Sequence, residues 1–462
     1  MSVLLRLSDV AVYAGDTCLL APISLVLKQG QPLTILGQTG SGKSLLAQAI
    51  MGLLPDDLRV SGEIAVFGKT MTVEERQALW GRELVMLPQE PWHSLDPLMK
   101  GVDQVKEVYQ FVRKKDPQEA LVTAEDDLRH VGLADSGHKR PDELSGGMAQ
   151  RLAITAATAG GAHVILADEP TKGLDVSRRD GIVQLLQARS SAGSLLTITH
   201  DVAVARQLGG LLMVMKAGHL VEQGEADQIL EFPKDNYTRE LIAAEPSAWS
   251  EMAPPIRRNS AEEILVADRL TLARGGRTLF DGLSFSIKRG EVVGIVGDSG
   301  CGKSSLGDAL LNLLPISAGS ITRPNKAGKP YQWLKLYQDP PSAFSSSVTL
   351  GQLLDDLVLL HGIDKARISP LMARLSLPTG ILERTCMAVS GGELQRFAIL
   401  RALLLDPVFL FADEPTSRLD PITAKEVIAL LVELASEANC AVLLVSHDAA
   451  LVQKTCHQVI TI

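Results

Sequence analysis

The chain has 462 residues, which is too long for one ordinary domain and suits two or three. With 46% hydrophobic and 21% charged residues, the composition is typical of a protein with large apolar cores. The net charge of -9 argues against a nucleic-acid-binding protein, because such proteins need a concentrated basic surface.

The cysteines and the apolar runs exclude further classes. Five cysteines are scattered without a CxxC pair, which argues against a metal cluster or a disulfide framework and fits a reducing cytoplasm. The first residues lack the basic and apolar regions of a secretion signal. No apolar run approaches the ~20 residues needed to span a bilayer, so we expect any membrane role to depend on partner proteins.

The sequence contains an internal repeat. Residues 15–30 (GDTCLLAPISLVLKQG) align without a gap with residues 275–290 (GGRTLFDGLSFSIKRG), and duplication of a whole domain is the simplest explanation. We predict a first domain at residues 1–245, a linker at 246–262 and a second domain at 263–462. The linker sequence is rich in Pro, Ser and charge, as extended or coil segments are.

Both copies alternate strands with helices. The first predicted strands lie at residues 3–12, 33–36, 283–287 and 292–296. Predicted helices follow at residues 45–52, 104–112, 118–131 and 305–313. This alternation favours a mainly parallel sheet covered by helices.

Two segments match the pattern GxxxxGK[ST] between a buried strand and a helix, GQTGSGKS at residues 37–44 and GDSGCGKS at residues 297–304. Such glycines let backbone N–H groups wrap phosphates, and the helix N-terminus favours negative charge. Lys43 and Lys303 are expected to neutralise the β- and γ-phosphates. We assign Ser44 and Ser304 as ligands of Mg²⁺. The glycines assigned to ATP binding are Gly37, Gly40, Gly42, Gly297, Gly300 and Gly302. The alternative, a glycine turn that only caps a helix, is disfavoured because the match occurs twice in the same context.

Acidic residues end a later apolar strand in each copy, VILADEP and VFLFADEP. Asp168 and Asp413 close these strands, where a carboxylate can reach the Mg²⁺ shell. Glu169 and Glu414 come next and are expected to polarise the water that attacks the γ-phosphate. An acidic surface turn is the alternative.

Two further pairs end buried strands. His200 and His447 are expected to contact the γ-phosphate and the attacking water, although a single core histidine would be an ordinary structural residue. Gln89 and Gln338 are expected to hold Mg²⁺ or water, with an ordinary strand-end amide as the alternative.

The segments LSGGMAQR and VSGGELQR begin their helices 24 residues before the two glutamates (145 to 169 and 390 to 414). With the motifs above, they resemble the ATP-binding-cassette ATPases, twice and over nearly the whole chain. The resemblance implies an α/β fold of tandem P-loop NTPase cassettes. Each cassette would have a mainly parallel sheet core, an antiparallel β subdomain and a helical subdomain.

In that family the SGG segment caps the ATP of the opposing domain in a head-to-tail sandwich. One site would combine Lys43, Ser44, Gln89, Asp168, Glu169 and His200 with Ser390, Gly391 and Gly392. The other would combine Lys303, Ser304, Gln338, Asp413, Glu414 and His447 with Ser145, Gly146 and Gly147. Because both sites keep their glutamate and histidine, we expect two hydrolytic sites.

Some residues depart from the family pattern. Tyr13 is the candidate for stacking on adenine in the first site, whereas the second copy has Ala273 followed by Arg274, whose guanidinium is a possible substitute. A sheet-packed aromatic is the alternative for Tyr13. Ala149 in the first signature stands where a larger or charged residue is usual.

The branch is indicated by the segments after the two glutamines and by the tail FPKDNYTRELIAAEP, which are similar to the peptide/nickel importer ATPases. The resemblance implies an ATPase motor for peptides, nickel or metal chelates, or related small solutes. Its partners would be two transmembrane permease subunits and, through them, a solute-binding protein, with no nucleic acid. It would lie peripherally on the cytoplasmic face of the bacterial inner membrane. Many members carry a cysteine cluster after this tail, which is sometimes linked to an iron–sulfur centre. No cysteine lies between Cys18 and Cys301 in this chain, so no iron–sulfur cluster is expected.

Three alternatives remain: a cassette component of a phosphonate-degrading complex, a soluble twin-cassette ATPase acting on ribosomes, and an exporter ATPase. The short Pro-rich linker disfavours the ribosomal class, whose linkers are typically long, helical and charged. The importer-like tail disfavours the exporter.

Overall fold

The computed structural model describes residues 2–89, 94–172, 174, 176–252, 262–298, 300–324, 329–417 and 419–462. Contacts divide the chain into two compact units, Met1–Ile242 and Ala243–Ile462. Each unit has an antiparallel sheet and a mainly or wholly parallel sheet with helices between its strands. The predicted α/β cassette fold, present twice, is confirmed.

The strands of the first unit are β1 (Val3–Ala14), β2 (Thr17–Lys28), β3 (Leu33–Leu36), β4 (Leu58–Val66), β5 (Lys69–Thr70), β6 (Leu84–Leu87), β7 (Val164–Asp168), β8 (Ser194–Thr199), β9 (Leu211–Lys216) and β10 (His219–Glu225). The antiparallel sheet has the order β2-β1-β4-β5 and the other sheet the order β10-β9-β3-β8-β7-β6. In the second sheet all pairs are parallel except β9 with β10.

The helices before the second unit's first strand are α1 (Lys43–Met51), α2 (Val73–Gln77), α3 (Gly101–Glu107), α4 (Pro117–His130), α5 (Gly146–Thr158), α6 (Val176–Arg189), α7 (Val202–Leu208), α8 (Ala226–Glu231) and α9 (Asn236–Ala243). The helix predicted at residues 104–112 is α-helical only as far as Glu107, where α3 ends. A π-helical turn continues over Val108–Val112. The helix predicted at residues 118–131 corresponds closely to α4, which Asp116 caps.

The strands of the second unit are β11 (Glu263–Arg274), β12 (Arg277–Lys288), β13 (Val292–Val296), β14 (Ala318–Thr322), β15 (Trp333–Leu336), β16 (Phe409–Asp413), β17 (Ala441–Val445) and β18 (Gln458–Thr461). Its helices are α10 (Lys303–Leu310), α11 (Leu350–His361), α12 (Ile368–Arg374), α13 (Gly391–Leu404), α14 (Pro421–Glu437) and α15 (Ala449–Thr455). The sheets have the orders β12-β11-β14, antiparallel, and β15-β16-β17-β13-β18, parallel.

The central parallel strands are buried along their whole length. Every residue of β7, β8, β16 and β17 is buried. Such strands read as continuous apolar runs because helices cover both faces of the sheet. The carboxylates at the ends of β7 and β16 therefore stand out in the sequence.

The two phosphate-loop helices begin earlier than predicted. They start at Lys43 and Lys303, two residues before the predicted starts, because Gly42 and Gly302 adopt φ angles of 93° and 111° that turn the chain directly into the helix. Only glycine adopts such angles without strain. Each lysine is thereby fixed in the first helical turn.

The first residues of the predicted linker, residues 246–262, pack against the second unit. Pro246–Ala248 form a 3₁₀ turn, and the buried indole of Trp249 donates a hydrogen bond to Ala244 O and joins the core of the second unit. Residues 253–261 lie outside the described part. No helix in the described ranges is long and apolar enough to span a membrane.

Candidate active site

Four neighbouring strands bring the predicted residues of the first unit to one edge of a sheet. The phosphate loop follows β3, His200 follows β8, Asp168 ends β7 and Gln89 follows β6. The order β3-β8-β7-β6 is parallel, so these strands end at the same edge. The second unit repeats the arrangement with the order β13-β17-β16-β15. Ligands of open α/β sheets bind outside such carboxyl ends.

The first phosphate loop is closed by its own lysine. Lys43 Nζ donates hydrogen bonds to Gly37 O at 2.6 Å and Gln38 O at 2.8 Å. A Cβ at Gly37 would lie 2.3 Å from Met215 O, so only glycine fits there. No side chain caps the N-terminus of α1, which leaves its first N–H groups for a phosphate.

The second loop has the same construction. Lys303 Nζ donates to Gly297 O at 2.7 Å and Asp298 O at 2.9 Å, and no side chain caps α10. Ser299 lies outside the described residues. Both loops present a buried ammonium and a helix N-terminus, as a phosphate cradle needs.

A tyrosine that the sequence analysis missed holds the first loop. The N–H of Gln38 donates to Tyr237 Oη at 2.9 Å, and the Tyr237 side chain is buried. The ammonium of Lys216 lies 4.7 Å from the centre of its ring. Tyr237 comes from α9, in the tail that resembles importer ATPases, so that tail supports the phosphate loop.

Replacing Tyr237 with phenylalanine should weaken ATP binding at the first site about fivefold, because one hydrogen bond to the loop is worth ~1 kcal/mol. The measurement is the affinity for a fluorescent ATP analogue in a Lys303→Ala chain, which isolates the first site. Tyr109→Phe is the matched control, since its hydroxyl donates to Asp127 away from the loop. Equal affinities of the Tyr237→Phe chain and its parent would exclude the supporting role.

The two strand-end aspartates, with the serines beside them, fit a Mg²⁺ ion. Asp168 is buried, and within the described part of the chain its Oδ1 has no hydrogen-bond partner. Burial raises the pKa of Asp168, while the hydrogen bond with Ser44 opposes the rise. A buried carboxylate with a bare oxygen beside a serine hydroxyl suits a hard cation.

The second aspartate has a similar partner. Ser304 Oγ donates to Asp413 Oδ1 at 3.0 Å, and burial raises the pKa of Asp413 against the effect of this bond. Gln89 and Gln338 are both exposed at their strand ends. The structure therefore brings each predicted serine and aspartate together.

Glu169 and His200 form a buried pair. The distance between His200 Nδ1 and Glu169 Oε1 is 2.8 Å, and Thr199 Oγ1 donates to Glu169 Oε2 at 3.4 Å. Burial disfavours both charges, but their mutual attraction outweighs it, so the pKa of Glu169 is lowered and that of His200 is raised. The pair is therefore stabilised in its charged form, with the carboxylate ready to accept a proton.

The second unit also brings the corresponding residues into contact. His447 Nε2 lies 2.5 Å from Glu414 Oε1, and Gln338 Nε2 donates to Glu414 Oε2 at 2.6 Å. The two histidines thus face their glutamates with different ring nitrogens.

Both glutamates have left-handed backbone conformations, with φ of 48° at Glu169 and 47° at Glu414. Non-glycine residues rarely adopt such angles, and the strained positions that persist often lie at functional sites. Because the same conformation occurs at the matching residue of both units, it supports a functional role for Glu169 and Glu414.

The signature segments lie at helix N-termini in each unit. Ser145 accepts a hydrogen bond from Met148 N and caps α5, and Ser390 accepts one from Glu393 N and caps α13. Gly146 and Gly391 are exposed, and a Cβ added at either would meet no atom within 4 Å. Within its own unit, therefore, neither position requires glycine for steric reasons.

The other signature residues are less accessible. Gly147 is buried, Gly392 is half-buried, and the unusual Ala149 is buried in the helical core.

Tyr13 lies on β1, half-buried, and the Arg59 guanidinium is 4.8 Å from its ring centre. Its assignment to adenine therefore stays a prediction.

Alkylation of Cys301 in the second phosphate loop should be slowed at least about tenfold by MgATP at ten times its dissociation constant, because the bound form is protected. The control is a Lys303→Ala chain, in which this loop no longer binds ATP and Cys301 should react at the same rate with and without MgATP. Burial raises the pKa of the Cys456 thiol to about 11, so this residue should react slowly throughout at pH 8. Mass spectrometry after iodoacetamide treatment measures each rate. An unprotected Cys301 would contradict nucleotide binding in this loop.

Solved structures share the fold. The structure titled RNase-L Inhibitor aligns with a TM-score of 0.68 at 22% identity, over 98% of this chain and 87% of that one. A complex of archaeal ribosomal stalk protein aP1 and archaeal ribosome recycling factor aABCE1 gives a TM-score of 0.66 at 22% identity, over 98% of this chain and 87% of that chain. At these identities the likeness extends to the fold alone.

Sequence relatives are more informative. The peptidoglycan transport ATP-binding protein YejF of Agrobacterium fabrum is 32% identical over 98% of this chain and 89% of its own length. The uncharacterized ABC transporter ATP-binding protein YejF of Escherichia coli is 33% identical over 95% of this chain and 89% of its own. The glutathione import ATP-binding protein GsiA of Salmonella typhi is 31% identical over 95% and 80%.

The family model described as ABC transporter matches the chain twice, at residues 20–172 and 280–417. Both matches include a phosphate loop, a signature segment and the Asp–Glu pair described above. The chain therefore belongs to the ABC transporter family, as an ATP-hydrolysing protein with two cassettes.

Proposed function

We propose that this chain is the motor subunit of an importer for peptides, metal chelates such as those of nickel, or related small solutes. It would work on two transmembrane permease subunits, which receive the solute from a solute-binding protein, at the cytoplasmic face of the inner membrane. The observation that carries the proposal is the paired site, in which each unit holds a glutamate and a histidine beside a phosphate loop. The names of the relatives, for peptidoglycan transport and glutathione import, support the solute class.

Binding begins at the loops. The phosphates of ATP would lie on the N-termini of α1 and α10, where uncapped N–H groups and the buried ammonium groups of Lys43 and Lys303 meet. In binding, these ammonium groups exchange contacts with loop carbonyls for contacts with phosphate oxygens. In the new contacts both partners are charged, so they are stronger than the bonds to neutral carbonyl oxygens that they replace.

Hydrolysis needs a base and a positioned water. Glu169 is held by His200, and Glu414 by His447 and Gln338, so each carboxylate is fixed in place to accept a proton from an attacking water. Mg²⁺, held by Ser44, Gln89 and Asp168 in one site and by Ser304, Gln338 and Asp413 in the other, would neutralise charge on the β- and γ-phosphates. The protein's own contribution is positioning and electrostatic stabilisation.

The signature segments would complete the sites in trans, as the family resemblance implies. Ser145, Gly146 and Gly147 would cap the ATP held by Lys303, and residues 390–392 the ATP held by Lys43. The open space at Gly146 and Gly391 supports this role, because glycine lets a ligand approach the backbone closely. ATP binding then favours the closed state through its higher affinity for that state.

A groove beside Gln338 suits a permease. A cavity of about 170 Å³ in the second unit is lined by residues that include Tyr337, Pro340, Phe344 and Leu405. Gln338 donates directly to Glu414, so a helix that docks in this groove would act on a residue bonded to the base. We assign the groove to a coupling helix of one permease subunit. The matching residues 90–93 of the first unit lie outside the described part.

The proposal is tested by purifying the tagged chain from membranes in a mild detergent. We expect two polytopic membrane proteins at equal stoichiometry. Ala343→Arg, which fills the groove, should reduce recovery of one of them, whereas Leu359→Arg on an exposed face of α11 should not. Cosedimentation with ribosomes, or with the enzymes of a phosphonate-degrading complex, instead of membrane proteins would contradict the proposal.

A further inference from the structure

A lysine stands in an otherwise apolar strand beside the second Mg²⁺-binding set. Lys335 belongs to β15, and only 11% of its side chain is exposed. Its Nζ lies 2.7 Å from Asp308 Oδ1 and 3.5 Å from Asp413 Oδ2. Asp413 Oδ1 accepts the hydrogen bond from Ser304. A largely buried ammonium therefore contacts the same carboxylate that we assign to Mg²⁺.

Aromatic rings hold the ammonium from other sides. Lys335 Nζ lies 5.2 Å from the ring centre of Tyr337 and 5.3 Å from that of Phe411. Phe411 is fully buried, and Gly307 of α10 makes room for it, since a Cβ there would lie 2.1 Å from the ring. Cation–π contacts stabilise a poorly solvated ammonium. The position of Lys335 is thus fixed by packing as well as by charge.

The first unit has uncharged residues at the matching positions. Counted from the strand-end glutamine and the phosphate-loop lysine, Met86 takes the place of Lys335 and Gln48 that of Asp308. Within the residues that the structure describes, Asp168 Oδ1 is buried without a hydrogen-bond partner. Lys43 and Lys172 act on Asp168 as nearby charges, whereas Lys335 forms an ion pair with Asp413, at 3.5 Å from its Oδ2.

We propose that Lys335 is a positioning residue that makes the two ATP sites unequal in their need for Mg²⁺, the second site gaining less affinity from the ion. The inference rests on the proposed function, since it assumes a nucleotide in each half. The Lys335 ammonium touches Asp413 directly, whereas Asp308 lies one helical turn beyond Ser304. The Lys335 ammonium lies 3.5 Å from an oxygen of the carboxylate that we assign to the ion, so its positive charge opposes a second cation there.

The test uses full-length chains with one site disabled. Lys43→Ala isolates the second site and Lys303→Ala the first, and the affinity for the fluorescent analogue mant-ATP is measured in excess Mg²⁺ and in EDTA. At each site the affinity in Mg²⁺ is divided by the affinity in EDTA. We expect this ratio to be at least about fivefold larger at the first site than at the second. In the Lys43→Ala chain, Lys335→Met should raise the ratio to that of the first site, whereas Lys335→Arg, which keeps the charge, should leave it unchanged.

The reciprocal exchange is made in the Lys303→Ala chain. Met86→Lys with Gln48→Asp should lower the ratio at the first site toward that of the second. Equal ratios at the two sites, or a ratio unaffected by Lys335→Met, would overturn the inference. A Lys335→Met chain that only unfolds at a lower denaturant concentration would not rescue it. Absence of mant-ATP binding at both isolated sites would instead contradict the proposed function and, with it, this inference.

Discussion

Replacing Glu169 and Glu414 together with glutamine should lower the rate of ATP hydrolysis at least about a hundredfold, because each carboxylate is the general base of its site. Glutamine has nearly the same shape and keeps an oxygen that can accept a hydrogen bond, but it cannot take a proton from water. ATP binding should persist, since the phosphate loops are unchanged, and the variant should trap ATP. A coupled phosphate-release assay at saturating MgATP measures the rate.

The control for this pair is Glu291→Gln, a buried glutamate of the second unit that accepts a hydrogen bond from Lys288 N at 2.7 Å. It should hydrolyse ATP at the rate of the unmodified chain. If hydrolysis survives in the double variant, the assignment of the base is wrong in at least one site.

Replacing Lys43 or Lys303 with alanine should weaken ATP binding at the affected site about a hundredfold, because a charge-assisted contact to phosphate is lost there. Each ammonium is buried and held at its loop by two carbonyl oxygens, so it is already beside the site where a phosphate binds. Equilibrium binding of labelled ATP should reveal one strong site in each single variant and none in the double variant.

The matched control is Lys365→Ala, which removes an exposed ammonium paired with Asp355. It should leave both ATP sites intact, because surface ion pairs contribute little. Unchanged affinity in the Lys43→Ala chain would mean that the first loop does not bind the phosphates of ATP.

The residues that sequence could locate are those fixed by local patterns. The phosphate loops and the two histidines follow buried strands, Asp168 and Asp413 end such strands, and parallel strands end at a common edge. That these residues lie close together in the fold therefore follows from the alternation of strands and helices. The start of α1 at Lys43 was less accessible, because it depends on the φ angle of Gly42.

The contacts that sequence could not locate join distant parts of the chain. Tyr237 and Gln38 are 199 residues apart, and nothing in the local pattern of either residue points to the other. Lys335 was visible as a charge within an apolar strand, but its pairing with Asp308 and Asp413 depends on how α10 packs on the sheet. The choice of ring nitrogen in His200 and His447 likewise depends on tertiary packing.

The two units are similar in construction and different in detail. The second glutamate has a direct contact with Gln338, and the second aspartate has a lysine beside it. Such differences change how strongly each site depends on its ions without removing the base or the phosphate loop. They are compatible with two hydrolytic sites of unequal rate.

The central claim, that both cassettes bind and hydrolyse ATP within one motor, is tested most directly by counting the ATP retained by the Glu169→Gln, Glu414→Gln chain. The protein is incubated with labelled MgATP and separated from free nucleotide by rapid gel filtration. The claim predicts two molecules of intact ATP per chain and no ADP. One ATP per chain, or bound ADP in place of ATP, would contradict it.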